Sequence, residues 1–555
     1  MQKIILFLIV GIAFILRFYR LGDYPALNAD EAAIGYNAYS LLQTGRDEHG
    51  NPWPIHFQSF NDYKPGLYVY LVLPFVKLLG LNEWAVRTPN ALLGVATVYL
   101  LYFLVIQLLK NYSLSTKHNL LATIASFFLA ISPWHIHFSR GAWEVNTSTF
   151  LMVFGVYLFL VCLRSWNLLT FNLSLFTFIL SLYTYHSARI LTPLLMLGLL
   201  VIYFKDLKNH LSFKNFVLCS LFFVLLLLPL AKEIGGPAGL SRAAGVGLFA
   251  DSGTLNRINE QRGQHQDIAG FWPRLLHNKP VNYTLSFLDN WASHFHGEFL
   301  FLSGDEIQRN KVPETGQMYM LDFLWIVFGV WWLVKNWKSP VTSHKPVVFI
   351  FYWLAVAPVA AALTFQSPHA LRAQNMIIPL VIISAFGFWH IWNLLTSKGK
   401  YFLVIGHLSL VIFVMLQFIR YQRMYYFHMA KEYPFSSQYG VKELVDYLSE
   451  NSRGSEKVII TNAYDQPYIL FLFYLKYQPE LFQKEHVLTG RDQYGFSTVR
   501  NFGKFEFTSF DFDSTRDYNP GALIVGTPKE IPDYGNIIKK IYGPNGYEYF
   551  RVVAN

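Results

Sequence analysis

The sequence has 555 residues, of which 53% are hydrophobic and only 14% are charged, and its formal net charge is +10. Soluble domains carry charge on about a quarter of their residues, so this composition indicates a membrane protein with many spans. The positive charge is spread over short loops rather than gathered on one patch, which argues against nucleic acid as a partner.

Apolar segments that are long enough to cross a lipid bilayer, or nearly so, recur along residues 1–420. The first follows a single lysine and lacks a small-residue cleavage site, so we predict a retained helix rather than a signal peptide. We predict about eleven spans in all, at residues 4–20, 88–109, 119–135, 146–164, 168–184, 189–204, 213–231, 320–335, 346–364, 375–394 and 400–420. Pro74 and Lys77 interrupt a further apolar stretch, residues 66–80, where we predict an interfacial or re-entrant helix.

The distribution of lysine and arginine predicts how the chain is oriented. With the N-terminus in the cytoplasm, the inner loops hold most of the lysines, whereas the short outer loops hold Arg140 and Arg372, with Arg189 at a helix edge. Cytoplasmic loops of membrane proteins are enriched in these residues. We therefore expect a multi-pass protein with a first outer loop at 21–87 and a large outer loop at 232–319. The lack of a eukaryotic-style retention signal favours the plasma (inner) membrane of a bacterium or archaeon.

The C-terminal segment has a different pattern, typical of a small α/β domain. The predicted elements are an amphipathic helix at 441–450, strands at 457–462 and 522–527, an apolar helix at 467–477, and a hairpin around Pro-Asn-Gly at 537–553. We therefore divide the chain into a polytopic α-helical membrane domain, residues 1–420, and an extracytoplasmic α/β domain, residues 421–555.

Charged and histidine side chains gather in the predicted outer loops. The first loop contains Asp30, Glu31, Asp62 and Lys64. The later outer loops contribute His135, His137, Arg140, Glu144, His186, Arg189, His294, His296, Glu298, Asp305, Glu306, His369 and Arg372. Carboxylates can act as a general base or as metal ligands, and cations can hold a phosphorylated substrate, so we expect the chemistry on this side of the membrane.

Each of these features also has a purely structural interpretation. An Asp-Glu pair often caps a helix, and arginines at helix ends can extend to the lipid headgroups. The two rings of a His-x-His motif lie together on a strand but diverge on a helix, which weakens the case for metal binding at residues 135/137 or 294/296. The order of the motifs along the chain is more informative than any one of them.

That order resembles the GT-C glycosyltransferases over residues 1–165. The shared layout is an Asp-Glu pair after the first span ("NADEAAIGY"), then "AYSLLQTG", then Lys-Pro before an aromatic apolar segment ("DYKPGLYVYL"), then "GLNEWAVRTP" before the second span. "ISPWHIHFSRGAWEVN" is similar to the second outer segment of the family. The resemblance is to the bacterial relatives of the dolichyl-phosphate-mannose protein mannosyltransferases, a group that includes the lipid A aminoarabinose transferase.

This resemblance implies the GT-C fold and an inverting glycosyltransferase of the hexosyl- or pentosyltransferase class. The donor would be a sugar on a polyprenyl phosphate, and the acceptor would be a lipid, a glycan or a protein at the outer membrane face. Asp30 corresponds to the catalytic base, and Glu31 would shape the site or bind the acceptor. Lys64 matches a lysine associated with the donor phosphate, and Arg372 is a second candidate for that role. Further candidates for substrate binding are Asp62, His137, Arg140, Glu144 and Arg189.

The sequence does not fix the cofactor requirement. In the aminoarabinose transferase a glutamate precedes the matching lysine and helps to bind a metal, whereas here Tyr63 occupies that position, with Asp62 before it. A divalent metal is therefore a candidate cofactor without an assigned site.

Three other functions are compatible with the composition. A transporter or lipid-linked-glycan flippase usually holds charged groups near the bilayer midplane, often in repeated halves, and neither feature is evident in this sequence. A polysaccharide polymerase or ligase is not expected to carry the first-loop motifs. A non-catalytic scaffold that presents the C-terminal domain is the third alternative.

Overall fold

The computed structural model describes residues 2–60, 62–110, 118–210, 212–234, 247–250, 252–337, 344–397, 400–464, 466–490 and 497–555. Helices dominate these ranges. Numbered α1 to α24 in chain order, they are Gln2–Phe18, Ala29–Thr44, Leu67–Leu79, Glu83–Leu109, His118–Ile131, Pro133–Arg140, Glu144–Cys162, Leu168–Leu182, Ala188–Ile202, Phe204–Lys208, Phe213–Ile234, Gly253–Gly263, Phe271–Leu276, Lys279–Ser293, Met320–Lys335, His344–Val356, Val359–Ala362, Ile377–Ser397, Lys400–Arg423, Met429–Glu432, Val441–Asn451, Pro467–Leu475, Pro479–Glu485 and Phe512–Tyr518.

The strands of the described ranges form two sheets. Numbered β1 to β9, they are His56–Ser59, Asp62–Pro65, Val458–Thr461, Val487–Leu488, Val499–Phe502, Phe505–Thr508, Leu523–Gly526, Ile537–Tyr542 and Glu548–Ala554. Strands β1 and β2 form a small antiparallel sheet. The others form a seven-stranded sheet in the order β4-β5-β6-β3-β7-β9-β8, in which β3 runs parallel to both of its neighbours.

The apolar segments are helical, as the sequence predicts, but their lengths differ. Five helices in the described ranges are long and apolar enough to cross a membrane by length and composition, and a bent pair of helices, α5 and α6, would make six. The five are Glu83–Leu109, Glu144–Cys162, His344–Ala362, Gln374–Thr396 and Val404–Glu432. Shorter apolar helices such as α8 and α9 have 15 residues each and rise about 22 Å, less than the roughly 30 Å of a hydrocarbon core. The chain is thus a multi-pass membrane protein whose spans are of unequal length.

The chain divides into two compact units. The first comprises residues 1–17, 91–139 and 144–422, and the second comprises residues 18–90, 140–143 and 423–555. The second unit therefore groups the first outer loop with most of the C-terminal segment. The division at residue 420 that the sequence suggests stays a prediction.

The second unit contains the predicted α/β domain, and all its expected elements are present. Strands β3 and β7 are buried along their whole length, as expected for central strands covered on both faces. Helix α22 is buried from Pro467 to Phe473. Its Phe473 packs against Gly35 of α2, where an added Cβ would lie 2.6 Å from the Phe473 ring. The glycine thereby allows the helix that carries the Asp-Glu pair to pack closely on the C-terminal elements.

The first unit contains a close helix–helix contact between α15 and α18. An added Cβ on Gly387 would overlap the Trp325 carbonyl, and one on Gly329 would overlap the Ile383 carbonyl. Small residues let membrane helices approach to backbone contact, and the dispersion gained there holds the helices together. The two glycines therefore set the distance between these two helices.

We expect Gly387→Ala to destabilise the protein by about 1–3 kcal/mol or more, because the added methyl forces α15 and α18 apart. The measurement is the thermal unfolding midpoint of the purified protein in detergent. Gly11→Ala is the matched control, since no heavy atom lies within 4 Å of a Cβ built there. Equal midpoints for the two variants would contradict the close contact.

Candidate active site

The Asp-Glu pair lies at the start of helix α2, in the second unit. The side chain of Asn28 accepts a hydrogen bond from the Glu31 N–H at 3.0 Å, and Glu31 Oε2 accepts one from the Asn28 N–H at 3.4 Å. This reciprocal capping box fixes where the helix begins. Both acids then lie in the first turn, where the helix dipole favours negative charge.

Glu31 is fully engaged by protein groups. Its two oxygens accept hydrogen bonds from Nε and Nη2 of Arg87 at 2.8 and 2.7 Å, and Oε1 also accepts one from the Ala142 N–H at 2.9 Å. The Glu31 side chain is 2% exposed and that of Arg87 is 0% exposed. Arg87 in addition donates to the carbonyls of Leu21 and Pro25, both at 2.9 Å. The pair therefore fixes the chain segment that leads into α2.

Asp30, one residue earlier, has a different environment. Its carboxylate pairs with the ammonium of Lys64, and the two side chains are 28% and 17% exposed. Lys64 lies on β2 opposite Phe57 of β1, and its ammonium lies 5.4 Å from the centre of the Phe60 ring. The structure thus brings the predicted base together with the predicted phosphate-binding lysine, and both remain accessible. Asp62 is on the same strand, but its side chain lies outside the described part of the chain.

A third carboxyl of this unit, Glu48, was not predicted from the sequence. It is 0% exposed, and its backbone N–H donates to Asn37 Oδ1 at 3.0 Å, two turns along α2 from Asp30. Burial raises the pKa of Glu48 well above its usual range and the charge of Asp47 adds to this, while Asn37, Lys64 and Tyr468 oppose it. Neither carboxyl oxygen completes a hydrogen bond of good geometry within the described residues. The available signal was a second Asp-Glu pair, in "GRDEHG", ahead of the Lys-Pro motif.

Arg140, a predicted substrate-binding residue in the same unit, is 0% exposed. Its Nε donates to the Tyr425 hydroxyl at 3.1 Å, and Nη2 donates to the Tyr24 carbonyl at 3.2 Å. The guanidinium also lies 5.3 Å from the ring centres of Tyr425 and Tyr426. These contacts give Arg140 a structural part in holding the segment before α2, and its role in substrate binding stays a prediction.

Arg372, in the first unit, is held in a polar loop. Its Nη1 donates to Thr364 Oγ1 at 2.6 Å. Burial lowers the pKa of Arg372, which Tyr185 and Asp305 partly oppose. Asp305 Oδ2 also accepts a hydrogen bond from the Ala370 N–H at 2.6 Å. This buried acid therefore stabilises the loop that carries Arg372. The guanidinium is thus kept in a defined position.

The remaining predicted residues of the first unit lie at helix termini or in a short helix. Glu144 is the first residue of α7 and Arg189 the second of α9, and both are partly buried. His137 is on the short helix α6, and its Nε2 lies 2.9 Å from the Arg309 carbonyl. On the same helix, His135 Nδ1 lies 2.6 Å from Arg17 Nη2.

The two histidines of α6 therefore have different partners, as expected for spacing of two on a helix. Within the ranges that the structure describes, no group of three or more histidine, cysteine, aspartate or glutamate side chains could hold a metal ion.

Comparison with known proteins gives similarity at the level of structure. Neither the protein-family models nor the curated proteins searched match this sequence. Among solved structures, ArnT from Cupriavidus metallidurans bound to undecaprenyl phosphate matches with a TM-score of 0.52 at 11% identity, over 99% of this chain and 97% of that one. The apo oligosaccharyltransferase of Archaeoglobus fulgidus matches with a TM-score of 0.52 at 13% identity, over 85% of this chain. The chain has the GT-C fold.

The two matches differ in how much of the other protein they cover. This chain spans 63% of the Archaeoglobus fulgidus oligosaccharyltransferase. The same coverage is found for that protein, AglB, in complex with an inhibitory peptide and a dolichol-phosphate, with a TM-score of 0.51 at 13% identity. At these identities the likeness establishes the fold, and the predicted fold class is confirmed.

We expect Glu31→Ala to destabilise the protein by about 3–5 kcal/mol, because it leaves the buried Arg87 charge without its partner. Asp30→Ala is the matched control, since it removes a partly exposed pair that contributes about 1 kcal/mol or less. The measurement is again thermal unfolding in detergent. A shift for Asp30→Ala as large as that for Glu31→Ala would show that the two acids do not differ in this way.

Proposed function

We propose that the protein is an inverting glycosyltransferase that moves a sugar from a polyprenyl-phosphate donor to an acceptor at the outer membrane face. The observation that carries this proposal is the accessible Asp30–Lys64 pair beside the fully engaged Glu31. One acid is thus available for proton transfer while its neighbour fixes the helix. The GT-C fold, shared with a protein bound to undecaprenyl phosphate, supports a lipid phosphate as the donor group.

The proposed reaction begins when the donor phosphate draws the Lys64 ammonium away from Asp30. The freed carboxylate takes the proton from an acceptor hydroxyl while that oxygen attacks the anomeric carbon. The bond from the anomeric carbon to the phosphate oxygen breaks, and the phosphate leaves with the electron pair. Lys64 stabilises the negative charge that develops on this leaving group. Attack opposite the leaving group inverts the anomeric centre.

The other residues have supporting roles in this proposal. Glu31 and Arg87 keep the start of α2, and therefore Asp30, in position. Arg372, which donates to Thr364 Oγ1, stays a second candidate for binding the donor phosphate. The positive charge next to Asp30 is that of Lys64, and a divalent metal stays a candidate cofactor.

The membrane arrangement follows from the donor. A polyprenyl-phosphate sugar cannot leave the bilayer, so the catalytic carboxylate has to lie at the interface. With the N-terminus in the cytoplasm, the positive-inside distribution of lysines puts the first outer loop and the C-terminal domain on the opposite side. The site then lies on the extracytoplasmic face of the plasma membrane.

Asp30→Asn is expected to lower sugar transfer by about 10²- to 10⁴-fold, the usual contribution of a general base. The assay measures sugar released from a panel of polyprenyl-phosphate sugars by the protein in lipid, with nucleotide sugars as the negative control. Asp517→Asn is the matched variant, since that side chain is 71% exposed on α24. Wild-type turnover by Asp30→Asn would remove the base assignment. If the wild type turns over none of the donors, the proposal is overturned, and a lipid-flipping assay would then test the flippase alternative.

Lys64→Met is expected to weaken binding of undecaprenyl phosphate by about 10- to 100-fold, because a charge-assisted hydrogen bond is worth about 1.5–3 kcal/mol. Binding is measured by competition against a labelled polyprenyl phosphate, which does not require turnover. Lys64→Arg keeps the charge and should retain much of the affinity. Equal binding by wild type and Lys64→Met would place the phosphate elsewhere.

A further inference from the structure

A second feature of the unit that contains Asp30 is a cavity of about 550 Å³. Its walls come from residues 22–27, residues 438–446 and residues 542–544, with Glu83 and Tyr474 between them. Ligand-binding cavities in proteins commonly have about 300–1,000 Å³. The cavity is therefore large enough for one or two sugar rings.

The side chains that line this cavity have the chemistry of a carbohydrate site. The lining includes four acidic residues, one lysine and three tyrosines. The acids are Asp23, Glu83, Glu443 and Asp446, the lysine is Lys442, and the tyrosines are Tyr439, Tyr474 and Tyr542. Ionised carboxylates only accept hydrogen bonds, so they match hydroxyl and ammonium donors, and tyrosine offers a ring face together with a polar hydroxyl. A ligand rich in hydroxyl groups satisfies both.

Two of the acids are available to a ligand. Glu83 pairs with Lys442 at 2.8 Å, and Glu443 pairs with Lys539 at 3.1 Å. Asp23 and Asp446 are exposed, and in the part of the chain that the structure describes neither carboxylate has an ion-pair partner. The excess of negative charge favours neutral or amino sugars and disfavours phosphorylated or acidic ones.

Hydrogen bonds link the lining of the cavity to the residues of the candidate active site. Arg87, which holds Glu31, also donates to the Pro25 and Ala26 carbonyls at 2.9 and 3.2 Å. Gln438, another residue of the lining, accepts a hydrogen bond at its Oε1 from the Ala29 N–H, at the start of α2, at 2.6 Å. Three residues, the separation of Leu27 from Asp30, span at most about 10 Å. This short separation along the chain is what links the cavity to Asp30 in the proposal that follows.

We propose that this cavity binds the acceptor, and that the acceptor is a glycan of neutral or amino sugars. This inference rests on the proposed transferase function. The apolar part of the lining combines the tyrosine rings with Ala26, Leu27 and Pro544. A glycan can place its C–H faces on the tyrosine rings and its hydroxyl groups on the carboxylates.

The test measures binding of defined probes to the full-length protein in lipid nanodiscs by isothermal titration calorimetry. The probes are a glucosamine tetramer, an N-acetylglucosamine tetramer, a galacturonic acid tetramer and a tetralysine peptide. We expect the first two to bind and the acidic tetramer not to bind. Preference for tetralysine over both sugars, or no binding of either sugar, would overturn the inference.

Variants locate the binding in the cavity. Asp23→Asn combined with Asp446→Asn should weaken glucosamine-tetramer binding at least 10-fold, and Tyr542→Ala should weaken both sugars. Tyr542 is 52% exposed, so its loss should not prevent folding. Asp517→Asn is the matched control for the acid changes. Unchanged affinity in the cavity variants would overturn the inference.

Asp30→Asn separates this inference from the proposed function. It should lower donor turnover by about 10²- to 10⁴-fold while probe affinity stays within twofold of the wild type. If the wild type binds the sugars but turns over no donor, the transferase proposal fails and the glycan site stands. If donor turns over in an Asp30-dependent way but the cavity variants bind normally, the acceptor lies elsewhere and only the cavity assignment fails.

Discussion

The buried pair of Glu31 and Arg87 is the interaction on which the candidate site depends. A fully buried ion pair is retained only when its hydrogen bonds are nearly complete, because each charge has lost its water. Here the carboxylate accepts from Arg87 and from the Ala142 backbone, and the guanidinium also binds carbonyls before α2. One ion pair thus fixes three stretches of chain relative to one another: residues 21–31, the segment around Arg87 and the segment around Ala142.

Adjacent acids in this turn have opposite environments, and this difference gives them different uses. Successive residues of a helix point about 100° apart, so Glu31 faces the protein interior while Asp30 faces an accessible surface. A carboxylate surrounded by fixed donors is a poor proton acceptor, whereas one paired with the ammonium of a partly exposed lysine side chain can be released. Under the proposed reaction, the Asp-Glu motif therefore combines a structural residue, Glu31, with a chemical one, Asp30.

Much of this could be predicted from the sequence. Hydrophobic runs predicted the helices, alternation and turn residues predicted the C-terminal sheet, and motif order predicted the fold. The exact helix ends were less well predicted, because apolar composition does not mark them: the predicted spans at 168–184 and 189–204 each extend two residues beyond α8 and α9. The sequence did not predict Arg87 as the partner of Glu31, because it is 56 residues away along the chain and its position suggests an ordinary arginine at the end of a loop. Glu48 was missed because burial of an acid depends on tertiary packing.

The lysine that covers Asp30 has a consequence for the order of events. Under the proposed reaction, the Asp30 carboxylate stays ion-paired until another group attracts the Lys64 ammonium. A water molecule or acceptor that arrives first therefore meets a base that is not available. Only a ligand with its own negative charge can compete for the lysine. Under the proposed reaction the lipid phosphate is therefore both a substrate and an activator. Binding of the donor frees the Asp30 carboxylate from its ion pair, and release of the lipid phosphate restores that pair. This order limits hydrolysis of the lipid-linked sugar by water.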